Sequence, residues 1–290
     1  VSERVLVTGG LGRLGRVVCD DLVNHDYDVV VLDRSPATEP VPARIRTVVG
    51  EVTDVGHVAQ ALQGCDALIH LAAIPAPYGC ADTKVFANNT QATFAALQAA
   101  SLLGVRRVAI ASSGSAYGTA WSPEPTHAIF VPLDETHPLR NHDAYGLSKE
   151  VDERTAEMFC RRDAMSVAAL RFHWIATREE QLNAIAERRG RPDLQGEKRN
   201  LWGYVDVRDA ARACRLAIEV ARERPYGFRA MNIVAADTLA EQPIEQLLAT
   251  HLPDVEVRAP ISGADGTYAI DRARDVLGWE PQYSWRRIDS

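Results

Sequence analysis

The stretch "RVLVTGGLGRLG", Arg4 to Gly15, decides the fold. A short apolar run is followed by Gly9, Gly12 and Gly15, and then by Val17, Val18 and Leu22 at helical spacing. That order predicts a strand, a tight glycine turn and a helix. A turn of this kind brings backbone N–H groups and the positive end of a helix dipole against a pyrophosphate, with no side chain in the way. The next apolar run, "DVVVL" (Asp28 to Leu32), ends at Asp33, placed where an acid accepts hydrogen bonds from the adenosine ribose. The segment therefore predicts a dinucleotide site, with Gly9, Gly12, Arg13, Leu14 and Gly15 on the phosphates and Asp33 on the ribose. A carboxylate there repels a 2′-phosphate, which favours NAD. Arg13 and Arg34 could each pair with such a phosphate, so NADP stays as the less favoured alternative. Glu51 and Val52, after the third strand, either flank the adenine or form a solvated turn.

Working outward, "IRTVVG", "ALIHLAA", "VRRVAIASS" and "VAALRF" repeat the continuous apolar strand pattern, separated by helical stretches. Such strands are those of a parallel sheet covered on both faces. The expectation is an α/β, Rossmann-type doubly wound parallel sheet with a small C-terminal substrate lobe. The sheet half takes residues 1–173 and 205–236, and the lobe 174–204 and 237–290.

The chain has 290 residues, 46% hydrophobic and 24% charged, with a net charge of −7. This balance gives no reason to expect nucleic acid or an anionic membrane as partner. No apolar run is long enough for a membrane span, and the first residues enter a strand pattern instead of a signal peptide. Five dispersed cysteines, with no Cys-x-x-Cys pair, read as buried thiols in a reducing cytoplasm and not as a metal site. His70, ending a core strand, reads as a packed, hydrogen-bonded ring.

Two Tyr-Gly pairs compete for the chemistry: "SSGSAYG" (Ser112 to Gly118) and "AYGLSK" (Ala144 to Lys149). Tyr145 and Lys149 are four residues apart at the start of a helix, so they share one face. An ammonium beside a phenol stabilises the phenolate, and a phenol so tuned can exchange a proton with an alcohol while hydride moves to or from a nicotinamide. Tyr117 has no such lysine.

With "TGGLGRLG", "HLAA", "NNTQAT", "SSGSAYG", "YGLSK", "LRF", "YVDVRDAA" and "DVLGWEP" in that order, the chain resembles an extended short-chain dehydrogenase/reductase of the NAD-dependent epimerase/dehydratase type. The resemblance implies that Tyr145 is the acid/base and that Lys149 tunes it and holds the nicotinamide ribose. It implies that Ser113 bonds the reacting oxygen, that Asn89 supports the site, and that Ser112 anchors the neighbouring backbone. Leu71, Ala72, Ala73 and Phe172 fall where such proteins wall the cofactor. It further implies a homodimer built on the helices bearing Asn89 and Tyr145.

Dehydratases of this kind carry carboxyls beside the strand-end serine. Here those positions are Ser113, Gly114 and Ser115, so dehydration is not expected. Nucleotide-sugar epimerases place an asparagine three residues after the "LR" arginine; here it is Trp174. Arg199 lies one residue out of step with a diphosphate-binding arginine, and "APISGADGTYAI" lacks a later one. The lobe segment, Ile175 to Tyr204, is short, on the scale of uronate dehydrogenases. The favoured substrate is thus a compact, carbohydrate-like molecule, a free sugar or sugar acid, contacted by Ser113, Ser115, Tyr117, His173, Trp174 and Arg199. For Tyr117 packing and a substrate wall stand equal; His173 could face nicotinamide or substrate. Arg178, Arg188, Arg189 and Arg191 either clamp an anion or form a solvated face with their glutamate neighbours, the latter favoured. The alternatives are a UDP-sugar 4-epimerase and a non-catalytic dinucleotide sensor.

Overall fold

The computed structural model describes residues 2–122, 127–189 and 197–287. Strand β1 (Arg4–Thr8) leads into α1 (Arg13–Asn24), followed by β2 (Asp28–Asp33), β3 (Ile45–Val49), α2 (Val55–Leu62), β4 (Ala67–His70), α3 (Asp82–Leu102) and β5 (Arg107–Ser113). After a 3-10 turn, Gly114–Tyr117, come β6 (Phe130–Val131), α4 (Ala144–Asp163), β7 (Ser166–Phe172), β8 (Trp174–Ala176) and α5 (Arg178–Arg188). A second 3-10 turn, Glu197–Asn200, precedes β9 (Tyr204–Asp206), α6 (Val207–Glu223), β10 (Phe228–Ile233), α7 (Ile244–His251), β11 (Glu256–Val257) and α8 (Asp271–Leu277).

Seven strands form one sheet in the order β10-β7-β5-β4-β1-β2-β3, every pair parallel. The strand order reverses at β1, which opens a crevice at the strand C-termini, where doubly wound sheets bind ligands. Thr8 lies opposite both Leu32 and His70. His70 pairs with Ile110, so β5 and β7 run on past β4 and carry Ser113 and Phe172, opposite each other, above that crevice.

Both faces of the sheet are apolar, which is why its strands read as continuous apolar runs. Val5, Val7, Val29 and Val31 face α1 and α6; Leu6, Val30 and Leu32 face the other way, toward α2 and α3. On α6, Ala210, Ala213, Cys214, Ala217 and Ile218 recur at helical spacing and are all buried. A fully buried Ile218 contributes about 1.5–3 kcal/mol relative to exposure, and each alanine about 0.8 kcal/mol for its methyl. Cys19, Cys65 and Cys214 are buried and Cys80 and Cys160 half-buried, all as free thiols.

The lobe has its own core, in which Leu201, Trp202, Ile244, Leu247 and Tyr268 pack with Val131 and Leu133. Two short parallel pairs, β8 with β9 and β6 with β11, brace it. The division drawn from sequence departs from this packing at two places. Tyr117 and residues 128–133, assigned to the sheet half, pack in the lobe core. Ala273, Leu277 and Trp279, assigned to the lobe, pack under the sheet, and the Trp279 indole donates to the Asp209 carbonyl. Neither segment has enough periodicity to reveal its partner; long-range burial alone decides it.

Candidate active site

At the crevice, Gly9 has φ +69°, and a Cβ there would come 2.9 Å from the Ala72 backbone. A Cβ on Gly15 would lie 2.2 Å from the Gly9 carbonyl oxygen. The loop can close this tightly on the first turn of α1 only with glycine at both positions. Gly12 is the N-cap of α1, with no side-chain cap and no acidic residue in the first turn. The amides at this helix end are left to an external anion. One oxygen of Asp33 accepts from the Leu11 amide at 3.3 Å, which ties the ribose-side carboxylate to the loop. Leu71 and Ala72 follow β4 beneath it, the Leu71 amide donating to Thr8 O. The residues present fit a dinucleotide.

Arg13 does not project alone toward phosphate: its guanidinium is paired with Glu180, whose carboxylate also takes the Thr177 amide in the capping box of α5. Glu51 is exposed, whereas Val52 is half-buried against the second core. Arg34 is exposed and Ala73 half-buried.

Helix α4 starts on the N-cap Asp143, whose carboxylate accepts from the Gly146 amide at 2.7 Å. Tyr145 is 8% exposed and Lys149 4%. The Lys149 ammonium lies 5.9 Å from the Tyr145 ring centre and donates to the Ala111 carbonyl at 2.9 Å and to Asp152 at 3.3 Å. Burial raises the Asp152 carboxyl, and the Lys149 charge works against it. Opposite α4, Ser113 ends β5 and its Oγ accepts from the Ser115 amide at 3.0 Å, which leaves its O–H free to donate. A Cβ on Gly146 would lie 2.8 Å from Ser115 O, so the turn bearing Ser113 rests directly on the helix turn bearing Tyr145.

Asn89, 1% exposed, bonds the Ile74 amide and carbonyl and donates to Ser148 Oγ at 3.1 Å. It locks the loop after β4 to α4 and acts through position. Ser112 anchors a side chain and not backbone: its Oγ donates to Glu153 at 2.6 Å, and Glu153 takes two further bonds from Arg171 at 2.8 and 2.7 Å. This buried pair ties α4 to β5 and β7. His70 is held by Thr8 at 2.8 Å and Thr93 at 3.3 Å, and burial, with Lys149 nearby, drives its imidazole down to about 3.

The substrate wall holds some predicted residues and not others. Tyr117 is 1% exposed; its O–H donates to Asn232 at 2.8 Å, Arg171 covers its ring, and burial raises its phenol. It packs as a core residue, which favours the packing role over the substrate wall. Phe172 is buried. His173 is buried as well: a Cβ on Gly114 would meet its Cε1 at 2.4 Å, Tyr268 packs on it at 3.9 Å, and its Nε2 is unpaired among the described residues. Burial drives His173 down to about 3, so it is neutral at neutral pH. Trp174 is 40% exposed. Arg199 lies on the second 3-10 turn, its carbonyl accepting from Thr119. Of the four lobe arginines, Arg178 donates to Arg287 O, Arg188 to Leu239 O and Arg189 to Glu241, while Arg191 lies outside the described residues.

Asp152, Glu153 and Ser148 escape sequence reading, as does the pairing of Glu180 with Arg13, since Glu180 reads from sequence as part of a solvated face. Asp152 and Glu153 look like ordinary charges on a polar helix; the one available signal is that each falls within one turn of Lys149 on the same face. Among the described residues no group of three His, Cys, Asp or Glu is placed to hold a metal, and no helix is long and apolar enough to cross a membrane.

The profile described as "NAD dependent epimerase/dehydratase family" matches residues 5–255. A "NAD-dependent glucose-6-phosphate dehydrogenase" of Haloferax volcanii is 29% identical over 97% of this chain and 94% of its own. An "L-arabinose 1-dehydrogenase (NAD(P)(+))" of the same organism is 27% identical over 81% of this chain and 89% of its own. A crystal structure of a UDP-galactose 4-epimerase superposes with a TM-score of 0.70 at 25% identity, covering 97% of this chain and 94% of that one. The chain belongs to the NAD-dependent epimerase/dehydratase family and is an NAD-dependent enzyme of the extended short-chain dehydrogenase/reductase type.

Proposed function

We propose that the protein oxidises a secondary or anomeric hydroxyl of a free sugar or sugar acid, with NAD as acceptor. The observation that carries this is the meeting of Ser113 with the Tyr145–Lys149 face of α4 at the strand ends beside the glycine cradle. NAD bound in that cradle supplies the nicotinamide that accepts or returns the hydride. Ser113 Oγ, already accepting from the Ser115 amide, donates to the substrate oxygen and fixes it beside the phenol. Tyr145 takes the hydroxyl proton at its phenol oxygen. Lys149 holds positive charge beside the ring, and Asp152 and the Ala111 carbonyl keep its ammonium in place. The turn Ser113–Ser115 brings no carboxyl, so it has no acid or base for eliminating water. The L-arabinose dehydrogenase among the relatives supports a free sugar, and the glucose-6-phosphate dehydrogenase supports sugar oxidation more broadly.

A second reading, a UDP-sugar 4-epimerase, is favoured by the presence of Arg199 on a lobe turn and by the epimerase fold match. A cytoplasmic homodimer completes the proposal: Phe94 on α3 and Leu147 on α4 are 46% and 43% exposed and offer an apolar face. A monomer in light scattering at working concentration would overturn the dimer.

The deciding experiment is the nicotinamide content of purified protein after denaturation. A dehydrogenase exchanges its cofactor and should release little. Near-stoichiometric retained nicotinamide, with no oxidation of free sugars, selects the epimerase.

A further inference from the structure

Two aromatic rings that the mechanism does not use stand beside the catalytic turn. Tyr78, in the loop between β4 and α3, is 68% exposed, and Trp121 is 37% exposed. Their centroids are 5.5 Å apart with planes at 72°, so they form the two walls of a corner. Exposed aromatics are costly to leave in water, and an isolated one needs no explanation. A pair fixed edge to face is different, because each ring limits the motion of the other.

The corner is also fixed to the site. The Trp121 indole N–H donates to Ser115 Oγ at 3.1 Å. Ser115 in turn donates its amide to Ser113 Oγ, and its carbonyl rests on Gly146, next to Tyr145. One hydrogen bond therefore separates the indole from the turn that carries the reacting serine. Ser115 is 8% exposed at the foot of the corner, and because its Oγ accepts from the indole, its own O–H is left to donate.

We propose that Tyr78, Trp121 and Ser115 form a pyranose subsite, in which the C–H face of the sugar ring lies on the aromatic corner while the Ser115 hydroxyl donates to a ring hydroxyl. This rests on the sugar-oxidation reading and extends it to the part of the substrate that is held. A sugar ring has an apolar C–H face and a polar hydroxyl rim, which matches two ring surfaces flanked by a single donor. A nucleobase would be the other ring-shaped occupant. In a nucleotide sugar a ribose and a diphosphate separate it from the reacting hexose, so a platform one hydrogen bond from the catalytic turn meets the hexose and not the base. No charged group is needed in the corner, in keeping with an uncharged ring.

The test uses the full chain with NAD. Tyr78→Ala and Trp121→Phe should each raise KM for a free pyranose, by roughly fivefold to tenfold for the first, with kcat and NAD affinity within about twofold. Trp121→Phe keeps a ring but loses the N–H that holds Ser115, whereas Ser115→Ala removes the donor itself and should raise KM at least as much. If Trp121→Phe misfolds, Tyr78→Ala, at an exposed loop position, still decides. Unchanged KM in Tyr78→Ala overturns the subsite. Should no free sugar be turned over at all, saturation-transfer NMR on the Tyr145→Phe variant separates the two ideas. Magnetisation passing from aromatic protons to glucose or arabinose C–H protons, and lost in Tyr78→Ala, supports the subsite even if the oxidation reading fails. Transfer confined to the uracil protons of UDP-glucose, or no transfer, overturns it.

Discussion

Tyr117 and Tyr145 are each followed by glycine and lie close to the same turn, yet the fold treats them oppositely. Tyr117 is sealed in the lobe core under Arg171, its hydroxyl given to Asn232. Tyr145 stands on the first turn of α4 with the Lys149 ammonium 5.9 Å from its ring and the Ser113 turn pressed against the next residue. The same side chain is a structural hydrogen-bond donor in one place and, in the proposed function, a proton-exchanging group in the other. What differs is the partner: a neutral amide in an apolar shell against a cation at the mouth of a cofactor crevice.

The largest expected effect falls on Tyr145. Replacing it with Phe should cut kcat by roughly 10²–10⁴-fold while NAD binding, measured by titration, stays near wild type. Turnover within a few-fold of wild type would remove Tyr145 from the chemistry.

Glu153 connects the two regions, because Arg171 both pairs with it and covers Tyr117. Glu153→Gln leaves a buried guanidinium without its counter-charge and should cost about 3–5 kcal/mol in chemical denaturation. A loss below about 1 kcal/mol would mean that the pair behaves like a surface ion pair.

Acid should expose a second contrast. His70 lies beneath the Tyr145 region and His173 beside the Tyr117 region, and both imidazoles are held down to about 3. Their folded values lie below the unfolded one, so the stability that the neutral rings permit is full above pH about 6.5 and is lost as pH falls from there toward about 3. Each ring contributes about 1.4 kcal/mol of loss per pH unit in that window. The raised Asp152 and Glu135 carboxyls act in the opposite direction, so the difference between variants isolates the imidazole. Urea midpoints for His70→Asn should fall less between pH 6.5 and 5 than those of wild type; parallel curves would refute the assignment.

The smallest effect belongs to Tyr117→Phe. It removes one buried hydrogen bond and leaves Asn232 short of a donor, a cost of about 1–2 kcal/mol. Turnover should stay within about twofold. A collapse in kcat at unchanged stability would return Tyr117 to the substrate wall.

The sheet half was legible because its signals are local. Glycines at fixed offsets, apolar strands and a Tyr-x-x-x-Lys helix start each state their own geometry, and right-handed crossovers give the doubly wound arrangement. The lobe was not legible to the same degree. Its strands are two or three residues long, and Val131, Tyr268 and Trp279 find partners more than a hundred residues away or in the other half. Side-chain use followed the same division. Asp33 and Lys149 could be placed from spacing, but nothing local distinguishes Arg13 reaching phosphate from Arg13 paired with Glu180, or Tyr117 at a surface from Tyr117 in a core. Those depend on which segment folds over them.

The most direct test of sugar oxidation through Tyr145 mixes purified protein and NAD with a panel of free aldoses and uronates and follows reduced nicotinamide. Wild type and Tyr145→Phe are run side by side. At least one free sugar should give net reduced nicotinamide with wild type and none with the variant. No reduction from any free sugar, together with interconversion of a UDP-sugar at constant cofactor oxidation state, would contradict it.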